Sequence, residues 1–403
     1  MFSFKAFLPL ILITSTAVDA IFVSRRTGKT TLSFATKINE LGTLNVAERD
    51  RARAQAMKQG GQLGQRSSIM DSNTGVNYVV QVGIGSPATN YTLLLDTGSG
   101  NTWVGAGKPY VPTKTSRNTG EAVSVSYGSG SFSGEEWIDT ITLSPSLVIR
   151  QQSIGVTSQA SGIAHDLDGI LGLGPINLTM GTVNGMNTVP TVSDNLHSQG
   201  TISKEVLGVY FIPESSSTTK SGELMFGGYD HSTIVGPVFY VPLTKTQLAS
   251  DYWGIEQSIS YGDDIIQPST AGIIDTGTTL ILIATNAFQE YKNMTGGTPD
   301  SVTGLLKITS EQYDNLKPLV FIVGSEPFVL TPNAQIWPRS LNTAIGGSAD
   351  AIYLIVSDIG SPSGSGLDFV NGYTFLERFY SVYDTTKQSI GLAHTKFTFS
   401  ENN

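Results

Sequence analysis

The chain contains one short sequence motif twice, and this repeat constrains its fold more than any other feature. Residues 93–105 read LLLDTGSGNTWVG, and residues 271–283 read AGIIDTGTTLILI. In both segments an apolar run that predicts a buried strand leads into Asp-Thr-Gly and then a hydroxyl residue. The two aspartates, Asp96 and Asp275, are 179 positions apart, so we expect two lobes of one architecture.

A carboxylate at the end of a buried strand requires an explanation, because burial penalises its charge. For one site an Asx-turn, in which the side chain caps nearby backbone N–H groups, is a sufficient explanation. If the two lobes pack about an approximate two-fold axis, Asp96 and Asp275 also meet and share a proton. The ionised member then acts as a base toward water, and the protonated member acts as an acid. This combination suits hydrolysis of an amide.

The residues around the two aspartates predict support for such a pair. We expect the glycines to allow close backbone approach, the threonines to bond across the seam, and the next hydroxyl residues to orient the outer carboxylate oxygens. These residues are Gly98 and Gly277, Thr97 and Thr276, and Ser99 and Thr278.

From about residue 70 the pattern is almost entirely one of short strands bounded by Gly, Ser, Asn or Pro. Only residues 191–200, 286–293 and 310–318 predict helices within this body. With 403 residues, 44 glycines and 14% charged residues, the chain is long enough for two compact, turn-rich domains. The sequence therefore predicts a mainly β protein of two lobes, residues 67–240 and 241–403.

The first 20 residues predict a secretory signal peptide, with basic Lys5, an apolar run at 6–14 and the small-residue end AVDA. The next segment, 21–66, has nine Lys/Arg and three Asp/Glu, whereas residues 67–403 have fourteen and twenty-nine. Its stretch 48–58 predicts a helix with a positive face. One interpretation is a solvated surface helix; we favour a propeptide that docks on the acidic body. That acidic body argues against nucleic acid as a partner.

The chain has no cysteine, which excludes disulfides and thiol catalysis. Tripeptides for N-glycosylation begin at Asn90, Asn177 and Asn293 and fit a secreted, extracellular protein. The four histidines show no metal-ligand spacing, so we expect neither a metal nor a cofactor. The apolar run of the signal peptide is too short for a membrane anchor, and no other stretch approaches 18 apolar residues. We expect a monomer.

These motifs resemble those of pepsin-family aspartic proteases over residues 70 to 394. The resemblance implies a bilobal, mainly β fold with the active-site cleft between the lobes, made as a zymogen and active in acid on polypeptides. It implies that DTGSGNTWV and IIDTGTT are the two catalytic loops, and that DGILGLG at 168–174 supports the first. It also implies that SYGSGSFSG at 126–134 is the flap, a hairpin that closes over substrate. The substrate-binding residues implied are Tyr127, Gly128 and Ser129 of the flap, with Trp103, Leu94, Leu167, Ile170 and Thr279.

Four departures from the family pattern limit what the resemblance implies. Asn371 stands where a leucine is usual, and Tyr373 replaces an aspartate common in pepsins, which affects the expected pH profile. Ser129 stands where several fungal relatives have an aspartate that accommodates a lysine before the scissile bond. We therefore expect apolar or aromatic residues there. For the prosegment lysine that pairs with the catalytic aspartates, Lys58 is a candidate.

Two other classes of protein compete with the protease interpretation. A catalytically inactive binding protein on the same fold usually lacks an aspartate, a glycine of the loops or the flap tyrosine, and this chain retains all of them. A secreted carbohydrate-binding β-sandwich leaves the paired loops unexplained. The sequence lacks a G-x-S-x-G motif, which weakens a serine hydrolase.

Overall fold

The computed structural model describes residues 30–39, 45–59, 75–127, 130–164, 166–213 and 221–403, so the predicted signal peptide lies outside the described residues. The strands are β1 Thr30–Asn39, β2 Gly75–Ile84, β3 Thr89–Asp96, β4 Trp103–Val104, β5 Arg117–Ser126, β6 Ser131–Ser144, β7 Leu147–Ser161, β8 Gly169–Gly172, β9 Val206–Phe211, β10 Gly222–Phe226, β11 Ile234–Pro242, β12 Gly254–Tyr261, β13 Asp264–Ile274, β14 Ile281–Ile283, β15 Thr298–Pro299, β16 Leu306–Ile308, β17 Leu319–Val323, β18 Glu326–Leu330, β19 Ile352–Leu354, β20 Val356–Asp358, β21 Phe369–Asn371, β22 Phe379–Asp384 and β23 Ser389–Thr395. The α-helices are α1 Val46–Lys58, α2 Val192–Ser198, α3 Thr285–Thr295, α4 Ser310–Asp314 and α5 Tyr373–Leu376. Short 3-10 helices are Ile176–Thr179, Ala249–Asp251, Asn333–Gln335 and Arg339–Ile345.

The expected mainly β, two-lobed fold is confirmed, and the duplication is visible in the strand pairing. In the first lobe β3 runs parallel to β8, β8 antiparallel to β4, and β4 parallel to β7. In the second lobe β13 runs parallel to β21, β21 antiparallel to β14, and β14 parallel to β20. The two Asp-Thr-Gly loops therefore leave equivalent strands, β3 and β13, of equivalent four-strand units.

A 13-stranded sheet joins the first lobe to the C-terminal end of the chain. Its order is β11-β23-β22-β9-β10-β1-β2-β3-β8-β4-β7-β6-β5. The second lobe has a seven-stranded sheet, β18-β17-β12-β13-β21-β14-β20, and a three-stranded sheet, β15-β16-β19. Strands β22 and β23, which lie late in the sequence, thus pair with β9 and β11, respectively.

Strand β1 occupies the middle of the large sheet. Its first half pairs with β10, from Thr30 opposite Phe226 to Phe34 opposite Gly222. Its second half pairs with β2, from Ala35 opposite Val79 onward. Phe34 is buried and packs edge-on against the rings of two core aromatic residues, Tyr78 and Phe211. The strand is therefore integrated into the core rather than laid on the surface.

The helices predicted near 191–200 and 286–293 are present as α2 and α3. Helix α4 covers only Ser310–Asp314 of the predicted 310–318, because the chain turns at Asn315 and Pro318 follows. Helix α1 matches the helix predicted at 48–58 and begins at the N-cap Asn45, whose side chain accepts the N–H of Glu48. No helix among the described residues is long and apolar enough to cross a membrane.

The unusual Asn371 has a structural partner in the second lobe. Its amide nitrogen donates to Gln257 Oε1 at 2.9 Å, and Gln257 Nε2 donates to Asn371 Oδ1 at 3.2 Å. Both side chains are buried. Because each amide satisfies the other, a polar residue is tolerated at this core position. Tyr373 is also buried and donates its hydroxyl to the backbone oxygen of Val76, which links the two lobes.

Candidate active site

The two Asp-Thr-Gly loops hold their carboxylates in the same way. Asp96 Oδ1 accepts the backbone N–H of Gly98 at 2.8 Å, and its Oδ2 accepts the hydroxyl of Ser99 at 2.7 Å. Asp275 Oδ1 accepts the N–H of Gly277 at 2.9 Å, and its Oδ2 accepts the hydroxyl of Thr278 at 2.6 Å. An Asx-turn therefore forms in each loop and aims its carboxylate.

The two loops are joined by a reciprocal pair of hydrogen bonds. The N–H of Thr97 donates to Thr276 Oγ1, and the N–H of Thr276 donates to Thr97 Oγ1, both at 2.9 Å. Thr276 Oγ1 also donates to the backbone oxygen of Leu95 at 3.1 Å. Both threonines are buried, so these bonds are shielded from water and fix the position of one loop on the other.

Only glycine fits at the third position of each loop. A Cβ atom on Gly98 would lie 2.6 Å from Asp275 Oδ1, and one on Gly277 would collide with Asp96 Oδ1. Each glycine thus lies directly against the carboxylate of the opposite lobe. The close approach of the two aspartates depends on this missing side chain.

A cation from α1 lies between the two carboxylates. Arg53 Nη2 is 2.6 Å from Asp96 Oδ1, and Arg53 Nε is 3.0 Å from Asp275 Oδ2. All three side chains are buried. The guanidinium thereby occupies the space between the carboxylates that a reacting water would need.

The candidate role of Lys58 in pairing with the aspartates is wrong. Its ammonium instead donates to the hydroxyls of Ser361 and Ser365 on the second lobe. Sequence reasoning missed Arg53, although helical spacing could have found it. The buried positions of α1 recur every three or four residues, and Arg53 is the one cation among them (Val46, Ala47, Asp50, Arg53, Ala54 and Met57).

The two carboxyl groups of the pair differ in proton affinity. Burial raises the pKa of Asp96, and the charge of Asp275 adds to the rise against the lowering effect of Arg53. Burial also acts to raise the pKa of Asp275, but Arg53 and the hydrogen bonds from Thr278 and Gly277 outweigh it and hold that pKa below its ordinary value. Burial and neighbouring groups therefore shift the pKa values of the two carboxyl groups in opposite directions while Arg53 is bound between them.

Helix α1 also contacts the second Asp-Thr-Gly loop through an acidic residue, Asp50. Asp50 is buried, and its Oδ2 accepts the N–H groups of Thr279 at 2.9 Å and Leu280 at 2.7 Å. Arg49 donates to the hydroxyl of Thr279. The polar groups of Thr279 that face the cleft are therefore engaged by α1.

The predicted flap residue Tyr127 directly follows β5 and contacts Trp103. The indole Nε1 of Trp103 donates to the hydroxyl of Tyr127 at 2.9 Å. Trp103 stacks on Phe132 with ring centroids 4.5 Å apart. The other two predicted flap residues, Gly128 and Ser129, lie outside the described residues.

The predicted apolar pocket residues do come together next to the pair. Leu94, Leu167 and Ile170 line one cavity with Trp103 and Tyr127. Arg49, Asp50 and Arg53 of α1 cover this cavity. The N-terminal end of α1 therefore lies over the pocket.

The three glycosylation tripeptides begin at exposed residues, Asn90, Asn177 and Asn293. Asn177 lies at the edge of the cleft, where it lines a cavity with Met57 and Tyr252. Among the residues that the structure describes, no three His, Asp or Glu side chains group together as a metal site.

Comparison with known proteins places this geometry in a family. The family model described as eukaryotic aspartyl protease matches residues 77–395. The chain belongs to that family. It is therefore an aspartic-type endopeptidase, a hydrolase that acts on polypeptides.

Individual relatives agree with this assignment. Polyporopepsin of Irpex lacteus is 58% identical over 339 residues, which cover 83% of this chain and 99% of the relative. Rhizopuspepsin-1 of Rhizopus niveus is 34% identical over 296 residues, 70% of this chain and 73% of the relative. The crystal structure of an aspartic proteinase from Irpex lacteus superposes with a TM-score of 0.79 at 59% identity, over 81% of this chain and 96% of that chain.

Replacing Thr97 by valine tests the bonds between the loops. The variant leaves the buried N–H of Thr276 without its acceptor, which costs about 1–3 kcal/mol in free energy of unfolding. We expect a lower midpoint of thermal unfolding and a lower kcat of the protease. Thr97→Ser keeps the hydroxyl and serves as the matched control. A valine variant equal to the serine variant in both measurements would contradict the role assigned to these bonds.

Proposed function

We propose that Asp96 and Asp275 are the catalytic residues of this endopeptidase, with a water molecule activated between them. The observation that carries the proposal is the matched environment of the two buried carboxylates, each held by a glycine N–H and a hydroxyl. One carboxylate takes the proton of the water as it attacks the peptide carbonyl. The other carboxyl, which is protonated, gives its proton to the carbonyl oxygen. When the C–N bond of the tetrahedral intermediate breaks, the first carboxyl gives the water's proton to the leaving nitrogen. The second takes back the hydroxyl proton as the C=O bond re-forms, so the pair returns to its starting state.

The flap and pocket residues have supporting roles in this proposal. Tyr127, positioned by the indole of Trp103, closes over the bound peptide together with Gly128 and Ser129. Burial raises the pKa of Tyr127, so its hydroxyl stays protonated during the reaction. The backbone of the bound peptide hydrogen-bonds to Thr279. Leu94, Leu167 and Ile170 form the pocket for the side chain that precedes the scissile bond.

We further propose that residues 1–20 are a signal peptide and residues 21–66 a propeptide, so that the protein is a secreted zymogen. The contact of Arg53 with both aspartates supports an inactive form, because no water can reach the position between them. The extent of the relative polyporopepsin also supports a removable segment, since 83% of this chain covers 99% of it. The mature enzyme would comprise the lobes at 67–240 and 241–403, act as a monomer without nucleic acid or membrane, and carry glycans at Asn90, Asn177 and Asn293.

The pKa of Asp275 links release of α1 to acid. A carboxyl whose pKa is lowered by docking stabilises the docked helix above the ordinary aspartate pKa of about 4. That stabilisation is lost as pH falls through the lowered pKa of Asp275. Arg53 also acts to lower the pKa of Asp96 against the effect of burial, so protonation of Asp96 weakens the same contact. We therefore place activation in acid.

Neutralising either aspartate tests the catalytic proposal. We expect Asp96→Asn and Asp275→Asn to abolish cleavage of denatured casein in acid, because neither amide can act as the base or share the proton. The exposed Asp263→Asn changes the same chemistry away from the site and serves as control. Pepstatin should block cleavage by the control. No pepstatin-sensitive cleavage in acid by the unmodified protein would instead favour the inactive binding protein.

Mass analysis of the full chain after a pH drop tests the zymogen proposal. We expect loss of roughly the first 45 residues after the signal peptide, since the docked helix places Arg53 between the two aspartates. Arg53→Gln should be processed at higher pH than the unmodified chain, because glutamine carries no charge to pair with the two aspartates. Arg53→Lys retains a cation and is the matched control. An unprocessed chain with full activity would refute the proposal.

The apolar pocket predicts the preferred residue before the scissile bond. We expect cleavage of a peptide library chiefly after apolar or aromatic residues, because Leu94, Leu167 and Ile170 offer no charged group. Sequencing of the cleaved bonds measures this preference. Cleavage chiefly after lysine would contradict it.

A further inference from the structure

The loop after β20 forms the rim of the second lobe beside α1 and engages one edge of that helix. Arg51 Nε donates to the backbone oxygen of Asp358 at 3.0 Å, and its Nη2 lies 3.8 Å from Asp358 Oδ2. One turn later, Gln55 Nε2 donates to the backbone oxygen of Ile359 at 2.8 Å. The next residue on the same edge is Lys58. The rim thus offers backbone acceptors to Arg51 and Gln55 on this edge of α1.

The ammonium of Lys58 is bound by two serine hydroxyls at the end of this rim. Its ammonium donates to the hydroxyl oxygen of Ser361 and, at 2.9 Å, to that of Ser365. The hydroxyl of Ser365 in turn donates to Asp368 Oδ1 at 2.8 Å. Because the proton of Ser365 goes to the carboxylate, a lone pair of its oxygen is directed at the ammonium. The charge of Asp368 therefore stabilises the cation through the serine.

Asp368 can stabilise the cation in acid as well, because its carboxylate is held in the ionised form. Its side chain is buried and accepts the N–H groups of Gly364 at 2.6 Å and Ser365 at 2.9 Å, with the hydroxyl of Thr270 as a further donor. Burial acts to raise its pKa, but these hydrogen bonds outweigh burial and hold the pKa below its ordinary value. The carboxylate thus stays ionised at pH values where an ordinary aspartate begins to lose its charge.

The position of α1 locates this site relative to the catalytic pair. Arg53 lies between the two aspartates. Lys58 follows it by five residues, which is about 7.5 Å along the helix axis. Arg49 and Asp50, toward the other end of α1, lie over the pocket assigned to the residue before the scissile bond. Lys58 therefore lies on the opposite side of the pair. An extended peptide covers the same distance in two or three residues at about 3.3–3.6 Å each.

We propose that, in the mature enzyme, Ser361 and Ser365 backed by Asp368 bind a lysine or arginine side chain of the polypeptide substrate, two or three residues after the scissile bond. The inference rests on the proposed function, in which α1 is removed and peptides enter between the lobes. Lys58 then occupies in the proform the place of a substrate cation. The same rim gives the endopeptidase a preference that its apolar pocket does not supply.

Paired peptides test this inference with the acid-processed enzyme. Each peptide carries the same cleavable bond, and the second or third residue after it is either lysine or norleucine, which keeps the carbon chain and lacks the charge. We expect kcat/KM for the lysine peptide to be roughly tenfold higher, the size of a charged hydrogen bond. In Ser361→Ala/Ser365→Ala the ratio of the two values should fall to about one. Ser363→Ala, an exposed serine of the same loop, should keep the ratio of the unmodified enzyme.

The outcomes separate this inference from the proposed function. A lysine-to-norleucine ratio near one in an active, unmodified enzyme overturns the lysine site and leaves catalysis by the aspartate pair intact. A ratio that survives in the double alanine variant also overturns it. Failure to cleave either peptide counts against the proposed catalytic function instead.

Discussion

Two carboxyl groups buried side by side repel each other when both are charged, and the centre of this molecule is organised around that repulsion. Each lobe brings one aspartate to the seam at the end of an equivalent strand, β3 or β13. Backbone N–H groups and hydroxyls offset part of the desolvation, and in the full chain Arg53 supplies the missing positive charge. The reciprocal bonds of Thr97 and Thr276 then hold the lobes at the one separation where a single cation reaches both aspartates.

Helix α1, which places Arg53 between the two aspartates, also makes hydrogen bonds with the surface around them. Asp50 satisfies backbone donors of the second loop, and Lys58 satisfies hydroxyls of the rim. Helix α1 is thus matched to the cleft by side chains of both charge signs along its length. General attraction between a basic segment and an acidic body does not require such pairing, which indicates a specific docked position.

Much of the site follows from the sequence because its parts are local. An apolar run, Asp-Thr-Gly and a hydroxyl residue specify a strand, a turn and the bonds within that turn, and their repetition indicates that the two turns meet. The role of Arg53 was missed because it depends on which helix face is buried, although the spacing of buried residues in α1 contains that information. The contact of Lys58 with Ser361 and Ser365 joins residues about 300 positions apart and has no local pattern. Sequence reasoning therefore misplaced Lys58.

Strand β1 belongs to the proposed propeptide, yet it lies within the central sheet of the body. It is hydrogen-bonded on one side to β10 and on the other to β2, and in the part of the chain that the structure describes it joins these two strands. Its departure uncovers two strand edges at once, each with a row of unpaired N–H and C=O groups that can recruit another strand. Activation is then a change in sheet connectivity as well as the opening of a cleft, and the body acquires a vacancy shaped to accept an extended segment of chain.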